Sequence, residues 1–225
     1  MKILEPLRNP HRVYCAGPLF NEPERREMLD IAGALTTAGF EPFVPHRDGM
    51  EFAKVEPYLI RRGHDATAVG QLLHEAIFAL DTYQVMVACG ALVVNLNGRV
   101  PDEGAVAESA MAWTLGKPIV AYKSDARSAI SGRDNPLIVG QTGFETVARI
   151  EDIPTALAAR LAMLRGEPTR QTCPPHIAET LSRGSRLWQA LESLPLPRAV
   201  ADVANAVLAV MAEEQAVAGL PGGGS

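Results

Sequence analysis

Apolar positions along the chain alternate between strand-like runs and helical spacing. Residues 12–16, Arg-Val-Tyr-Cys-Ala, form a short strand that stops at Gly17-Pro18, a turn signal. Met28, Ile31, Ala32 and Leu35 then follow helical spacing. Asn21 suits the N-cap, Glu24 completes a capping box, and Gly39 marks the stop. Residues 40–45, FEPFVP, predict a second strand, confined by Pro42 to an edge or a short pairing. Residues 69–88 predict another helix. The run ALVVNL (91–96) is apolar enough for a strand buried on both faces. A helix over 103–115 and a further buried strand, PIVAY (118–122), follow. Strands alternating with helices predict a parallel sheet with right-handed crossovers, in which ligands bind at the carboxyl ends of the strands. Residues 176–192 and 199–215 predict helices separated by Pro195 and Pro197. Val200, Val203, Val207 and Val210 give the last of these an apolar face to be buried on the core or on another subunit. The closing LPGGGS is expected to be disordered.

Composition narrows the class without naming a chemistry. The chain has 225 residues, 47% hydrophobic and 21% charged, which suits one domain with or without an appendage. A net charge of −5 and the absence of a Lys/Arg cluster argue against a nucleic-acid partner. No run suits a signal peptide or a membrane span, so a soluble, cytoplasmic protein is expected. Cys15, Cys89 and Cys173 form no disulfide framework or ligand spacing, and the five histidines are dispersed. No metal or other cofactor is expected. The glycine patterns of dinucleotide and P-loop sites are missing, and so is the GxSxG elbow.

Polar loops collect where the strands end: Tyr14 and GPLF (17–20), PHRDG (45–49), NLNGRVPDEG (95–104) and YKSDAR (122–127). Between Gly104 and Leu115 the one charged residue is Glu108, and an ionised Glu is almost never fully buried without a partner. From residue types alone it is a pocket carboxylate, a helix-surface acid, or half of a pair with a buried Arg. Asp102 suits a helix N-cap, Asp81 a helix-surface acid, and Tyr14 a core residue whose hydroxyl finds a partner. Their convergence on one edge of the sheet favours a site.

Together these residues resemble the nucleoside 2'-deoxyribosyltransferase family over about residues 12–150. The resemblance rests on YCAGPLF (14–20), PHRDG (45–49), IFALD (77–81), ALVVNLNGRVPDEGAVAE (91–108) and GKPIVAYKSDAR (116–127). Its most specific element is the D-x-G-x-x-x-E spacing of Asp102, Gly104 and Glu108 after an apolar strand. The expected fold is α/β, a flavodoxin-like, doubly wound, parallel five-stranded sheet with a C-terminal helical extension. The α/β domain is expected over 1–165 and the extension over 166–225.

The resemblance implies a nucleophilic Glu108 that forms a covalent deoxyribosyl intermediate, with retention of configuration. It implies that Asp81 and Asp102 contact the base or relay its proton, and that Tyr14 orients the nucleophile. Gly17, Phe20, His46, Arg47, Asp48 and Gly104 would line the substrate site, with His46 where relatives often have Gln. Asn135 would reach a neighbouring subunit's site and bind the sugar 5'-hydroxyl. The implied partners are 2'-deoxynucleosides, free nucleobases and other copies of the chain, as a dimer or a multiple of dimers with shared sites. A nucleoside or nucleotide N-glycoside hydrolase on the same scaffold is the second reading, and a non-catalytic nucleotide sensor the third.

Overall fold

Side chains along a strand point alternately to its two faces, and this alternation in the second strand organises the fold. The structure, a computed structural model, describes residues 2–4, 9–98, 100–125, 134–164 and 171–218. The elements run β1 (Lys2–Leu4), β2 (Arg12–Ala16), α1 (Glu22–Thr37), β3 (Glu41–Phe43), α2 (Pro45–Asp48), α3 (Phe52–Arg61) and α4 (Ala66–Tyr83). After these come β4 (Ala91–Asn95), α5 (Glu103–Thr114), β5 (Ile119–Tyr122), α6 (Pro136–Val139) and α7 (Ile153–Ala162). The last are β6 (Gln171–Cys173), α8 (Pro175–Glu192) and α9 (Val200–Ala218). The disorder expected for the closing LPGGGS falls outside the described residues.

The chain groups into two compact units, Met1–Asp48 with Gln84–Cys173, and Gly49–Tyr83 with Pro174–Ser225. The first holds a parallel sheet in the order β3-β2-β4-β5. Val13, Cys15, Ala91, Val93, Val120 and Tyr122 form one core with Met28, Ile31, Ala32 and Leu35 of α1 and with Ile153 and Leu157 of α7. Alternation sends Tyr14 and Ala16 to the opposite face, where α5 meets β2, β4 and β5. That helix buries Ala105, Ser109 and Ala112.

Among the described residues the parallel sheet has four strands, not the five expected. The place beyond β5 holds a single parallel bridge, Val147 to Tyr122. Val147 N–H donates to the Ala121 carbonyl at 2.8 Å, and its own carbonyl accepts from Lys123 N–H at 2.8 Å. Gly143 and Phe144 turn the chain at positive φ just before this point, and a 3-10 turn over Ile150–Asp152 follows it. The extended stretch is too short for a ladder. β1 and β6 form a separate antiparallel pair.

Behind the sheet, a π-helical turn spans Gln84–Ala88. The buried Lys117 donates from Nζ to the carbonyls of Val85 (2.7 Å) and Cys89 (2.5 Å), supplying donors where that turn ends. Burial lowers its pKa to about 8.

The second unit packs α8 against α4 and α9, with α3 against α4 and α9. Val203, Val207 and Val210 of α9 are buried, so the apolar face legible in the sequence is covered by helices of its own unit. Gly184 lets α8 approach α4. A Cβ there would lie 2.1 Å from the Ala79 carbonyl oxygen and 2.5 Å from Tyr83 Cβ. Alanine adds about 1 kcal/mol of helix propensity, but overpacking against backbone costs about 1–3 kcal/mol or more. Gly184→Ala is therefore expected to lower the urea midpoint of unfolding. A midpoint at or above wild type would mean that the α4–α8 spacing has slack.

Candidate active site

Tyr14, the third residue of β2, is completely buried and stacks on Phe43 with ring centroids 5.6 Å apart. That packing fixes the ring and aims its hydroxyl across the sheet face towards α5. The hydroxyl donates to Glu108 Oε1 at 2.6 Å. A donor held by the core thereby sets the orientation of a half-buried carboxylate in the second turn of a helix. Hydrogen bonds to an ionised acceptor are about twice as strong as neutral ones.

Asp102 is the N-cap of α5 and accepts Ala105 N–H at 2.7 Å through Oδ2. Gly104 lies beside it, where a Cβ would come within 3.2 Å of the same oxygen. On the residue after Glu108, Ser109 Oγ donates to Gln141 Oε1 at 2.6 Å, and Gln141 Nε2 donates to the Leu137 carbonyl at 3.0 Å. This strut ties the Glu108 helix to α6. Asn135 is exposed at the start of α6 and accepts Leu137 N–H at 3.0 Å as its N-cap.

The first loop leaves β2 through Gly17, where a Cβ would stand 2.5 Å from Met28 Sδ and 2.9 Å from Asn95 Cβ. No larger residue fits between α1 and β4 at that point. Phe20 exposes 78% of its surface, and its N–H donates to Glu24 Oε2 at 2.8 Å. The Asn21–Glu24 capping box forms as the spacing predicts.

His46, Arg47 and Asp48 lie on α2. Arg47 grips Asp48 with two bonds, Nε to Oδ1 at 2.7 Å and Nη2 to Oδ2 at 2.6 Å, and also donates to the Pro42 carbonyl at 2.9 Å. Asp48 Oδ2 accepts Val44 N–H at 2.7 Å. These two side chains fasten the exit of β3. Asp81 belongs to the second unit, on α4. Burial raises its pKa to about 7.

A polar network at the ends of β4 and β5 escaped the sequence pattern. Asn95 is fully buried and donates to Glu27 Oε2 at 2.7 Å, while Asn97 Nδ2 donates to Glu27 Oε1 at 2.8 Å. Two asparagines closing an apolar strand were the available signal, since a buried polar group is more informative than an exposed apolar one. No group of three or more His, Cys, Asp or Glu among the described residues could hold a metal ion. Among the same residues, no helix is long and apolar enough to cross a membrane.

The family model for nucleoside 2-deoxyribosyltransferase matches residues 13–155, well over half of the chain. The chain belongs to the nucleoside 2-deoxyribosyltransferase family. The matched segment of this family member contains Tyr14, Glu108, Asp102, Asp81 and Asn135. Membership in this transferase family implies nucleoside and nucleobase substrates. No curated protein matches the chain. Among solved structures, a conserved protein from Enterococcus faecalis is similar at 20% identity with a TM-score of 0.45, over 66% of this chain and 98% of that one.

Asp102 combines a structural position with an expected chemical role, and the two separate by substitution. Asn caps helices about as well as Asp, so Asp102→Asn is expected to keep the melting temperature and lose turnover. If the melting temperature drops while turnover holds, Asp102 is a cap and nothing more.

Proposed function

We propose that this protein moves 2-deoxyribose between nucleobases through a covalent ester on Glu108. The Tyr14–Glu108 hydrogen bond, from the middle of β2 to α5, carries the reading, within a chain whose family is that of the deoxyribosyltransferases. In the first step a Glu108 oxygen bonds to C1' and the glycosidic C1'–N bond breaks. The base leaves with the bonding pair and takes up a proton. In the second step a ring nitrogen of another base gives up its proton and bonds to C1', the ester C–O bond breaks, and Glu108 departs as a carboxylate. Two inversions give net retention. Tyr14 holds the carboxylate for attack and stabilises it again as a leaving group.

Asp81 is the proposed acid that protonates the departing base, a step worth about 10²–10⁴-fold. A carboxyl with a pKa near 7 is about half protonated at neutral pH, where an ordinary aspartate has lost its proton. Asp102 is proposed to contact the base. For Asn135 we propose the family's role of binding the sugar 5'-hydroxyl in a neighbouring subunit's site, which makes the working form a homo-oligomer. The first loop offers Gly17-Pro18-Leu19-Phe20, with no serine or arginine to grip a phosphate, and Pro18 removes a backbone donor. That supports a neutral nucleoside over a nucleotide.

Incubation with deoxyinosine plus cytosine or adenine tests the reading. The expected product is the new deoxynucleoside in the β configuration. Free deoxyribose without a new nucleoside would replace the transferase by a hydrolase. An α product would remove the covalent intermediate.

A further inference from the structure

Two aspartates that follow β5, Asp125 and Asp134, meet one cation. Lys123 Nζ donates to Asp134 Oδ1 and stands 3.8 Å from Asp125 Oδ1, with its side chain only 9% exposed. The two aspartates lie on either side of a nine-residue chain step, and Asp134 immediately precedes Asn135. Lys123 is itself placed by its backbone, whose N–H donates to the Val147 carbonyl at 2.8 Å. Asp125 is placed from β4: its Oδ2 accepts Gly98 N–H at 2.9 Å, and its N–H donates to Asn97 Oδ1 at 3.2 Å. Asn97 also accepts Ser124 N–H at 2.8 Å and donates to Ser124 Oγ at 2.9 Å, while its bond to Glu27 anchors it on α1. A set of hydrogen bonds, joined by the Lys123–Asp125 ion pair, thus runs from α1, through the ends of β4 and β5, to the residue beside Asn135.

We propose that Lys123 is a positioning residue, which sets where Asn135 stands for the sugar 5'-hydroxyl by drawing Asp125 and Asp134 onto one ammonium. A low-exposure ammonium beside two carboxylates is costly to dismantle, because removing it leaves two partly buried like charges without their counter-ion. The sharing matters more than either pair alone. It holds Asp134 against a fixed point at the end of β5, so Asn135 enters α6 from a defined origin. The Ser109–Gln141–Leu137 strut then ties α6 to the helix of Glu108. The inference rests on the proposed role of Asn135.

The test compares kcat/KM for a 2'-deoxynucleoside and its 2',5'-dideoxy analogue in wild type, Asn135→Ala, Lys123→Met and Asp134→Asn. Wild type is expected to prefer the 5'-hydroxyl by about tenfold, the value of one hydrogen bond. Asn135→Ala and Lys123→Met should lose that preference, and the double variant should lose nothing more. In Lys123→Met and Asp134→Asn the analogue itself should be processed at near the wild-type rate. Asp134→Asn keeps an acceptor without the charge and should show a smaller loss, which holds the test open if Lys123→Met does not fold. Hydrogen exchange at residues 134–142 should quicken in both variants while residues 91–96 stay protected. Preference retained in Lys123→Met and Asp134→Asn but lost in Asn135→Ala overturns the proposal and leaves the role of Asn135 standing. If wild type cleaves neither substrate, or Asn135→Ala keeps the preference, the functional reading fails instead. In that case unchanged exchange at 134–142 overturns the gripping role, and faster exchange supports it.

Discussion

Glu108→Gln is expected to abolish deoxyribosyl transfer while the protein stays folded. Gln matches Glu in size, and its amide oxygen can accept from the Tyr14 hydroxyl in place of the 2.6 Å contact. The cost in stability is the difference between a charged and a neutral hydrogen bond, about 1 kcal/mol. The cost in rate is far larger, because an amide oxygen does not add to C1' and no ester forms. Removing a covalent nucleophile costs orders of magnitude in kcat, so residual activity above about 1% of wild type would sink the assignment. Mass spectrometry of the intact protein gives a second readout. Wild type mixed with a deoxynucleoside and no acceptor base should gain the mass of one deoxyribosyl group, and Glu108→Gln should gain none. A wild-type adduct on another residue would move the nucleophile elsewhere and retain the chemistry.

The parts of this architecture that local patterning specifies were legible. Asn21 and Glu24 form their capping box, and Met28, Ile31, Ala32 and Leu35 are the buried face of α1. The run at 91–96 became β4, buried at all five residues, as a strand covered on both faces should be. Elements that depend on distant partners were not legible. β1 and β6 have three residues each and gain their identity by pairing chain segments about 170 residues apart. α3 was hidden by Pro57, which sits inside it without an N–H to donate. Among the described residues the place of a fifth strand holds only the Val147 bridge, since a turn at Gly143-Phe144 leaves little extended chain there.

The candidate site divides along the same line. Alternation in β2 puts Tyr14 on the face that Val13 and Cys15 do not use, and the helix predicted over 103–115 carries Glu108; both were readable. Their meeting across 94 residues of sequence required the sheet register. Arg47 and Asp48, which the resemblance assigns to the substrate site, also tie α2 to the end of β3, and that structural task depends on contacts the sequence pattern does not show. Lys123 looked like one cation in a polar loop until Asp125 and Asp134 were brought to it.

Asp81→Asn is expected to move stability and turnover in opposite directions. The folded-state pKa of Asp81, about 7, lies above its ordinary value of 3.8 because burial disfavours the charged form. Between those values the folded protein holds a proton that the unfolded chain releases. Stability therefore falls as pH rises from about 4 to about 7, and the loss is complete above that window. A neutral amide has no charge to desolvate, so the variant should lose this slope and exceed wild type at pH 8 by about 1–3 kcal/mol. Turnover should change the other way, falling by the 10²–10⁴-fold that general acid catalysis supplies. In wild type, kcat/KM should decline above about pH 7 as Asp81 ionises, and the variant should not share that limb. A donor whose leaving group departs as a stable anion needs no proton, and should restore the variant to near the wild-type rate. Equal losses on both donors would remove Asp81 from proton transfer. A variant less stable than wild type at pH 8 would show that its carboxylate is paired and not merely buried.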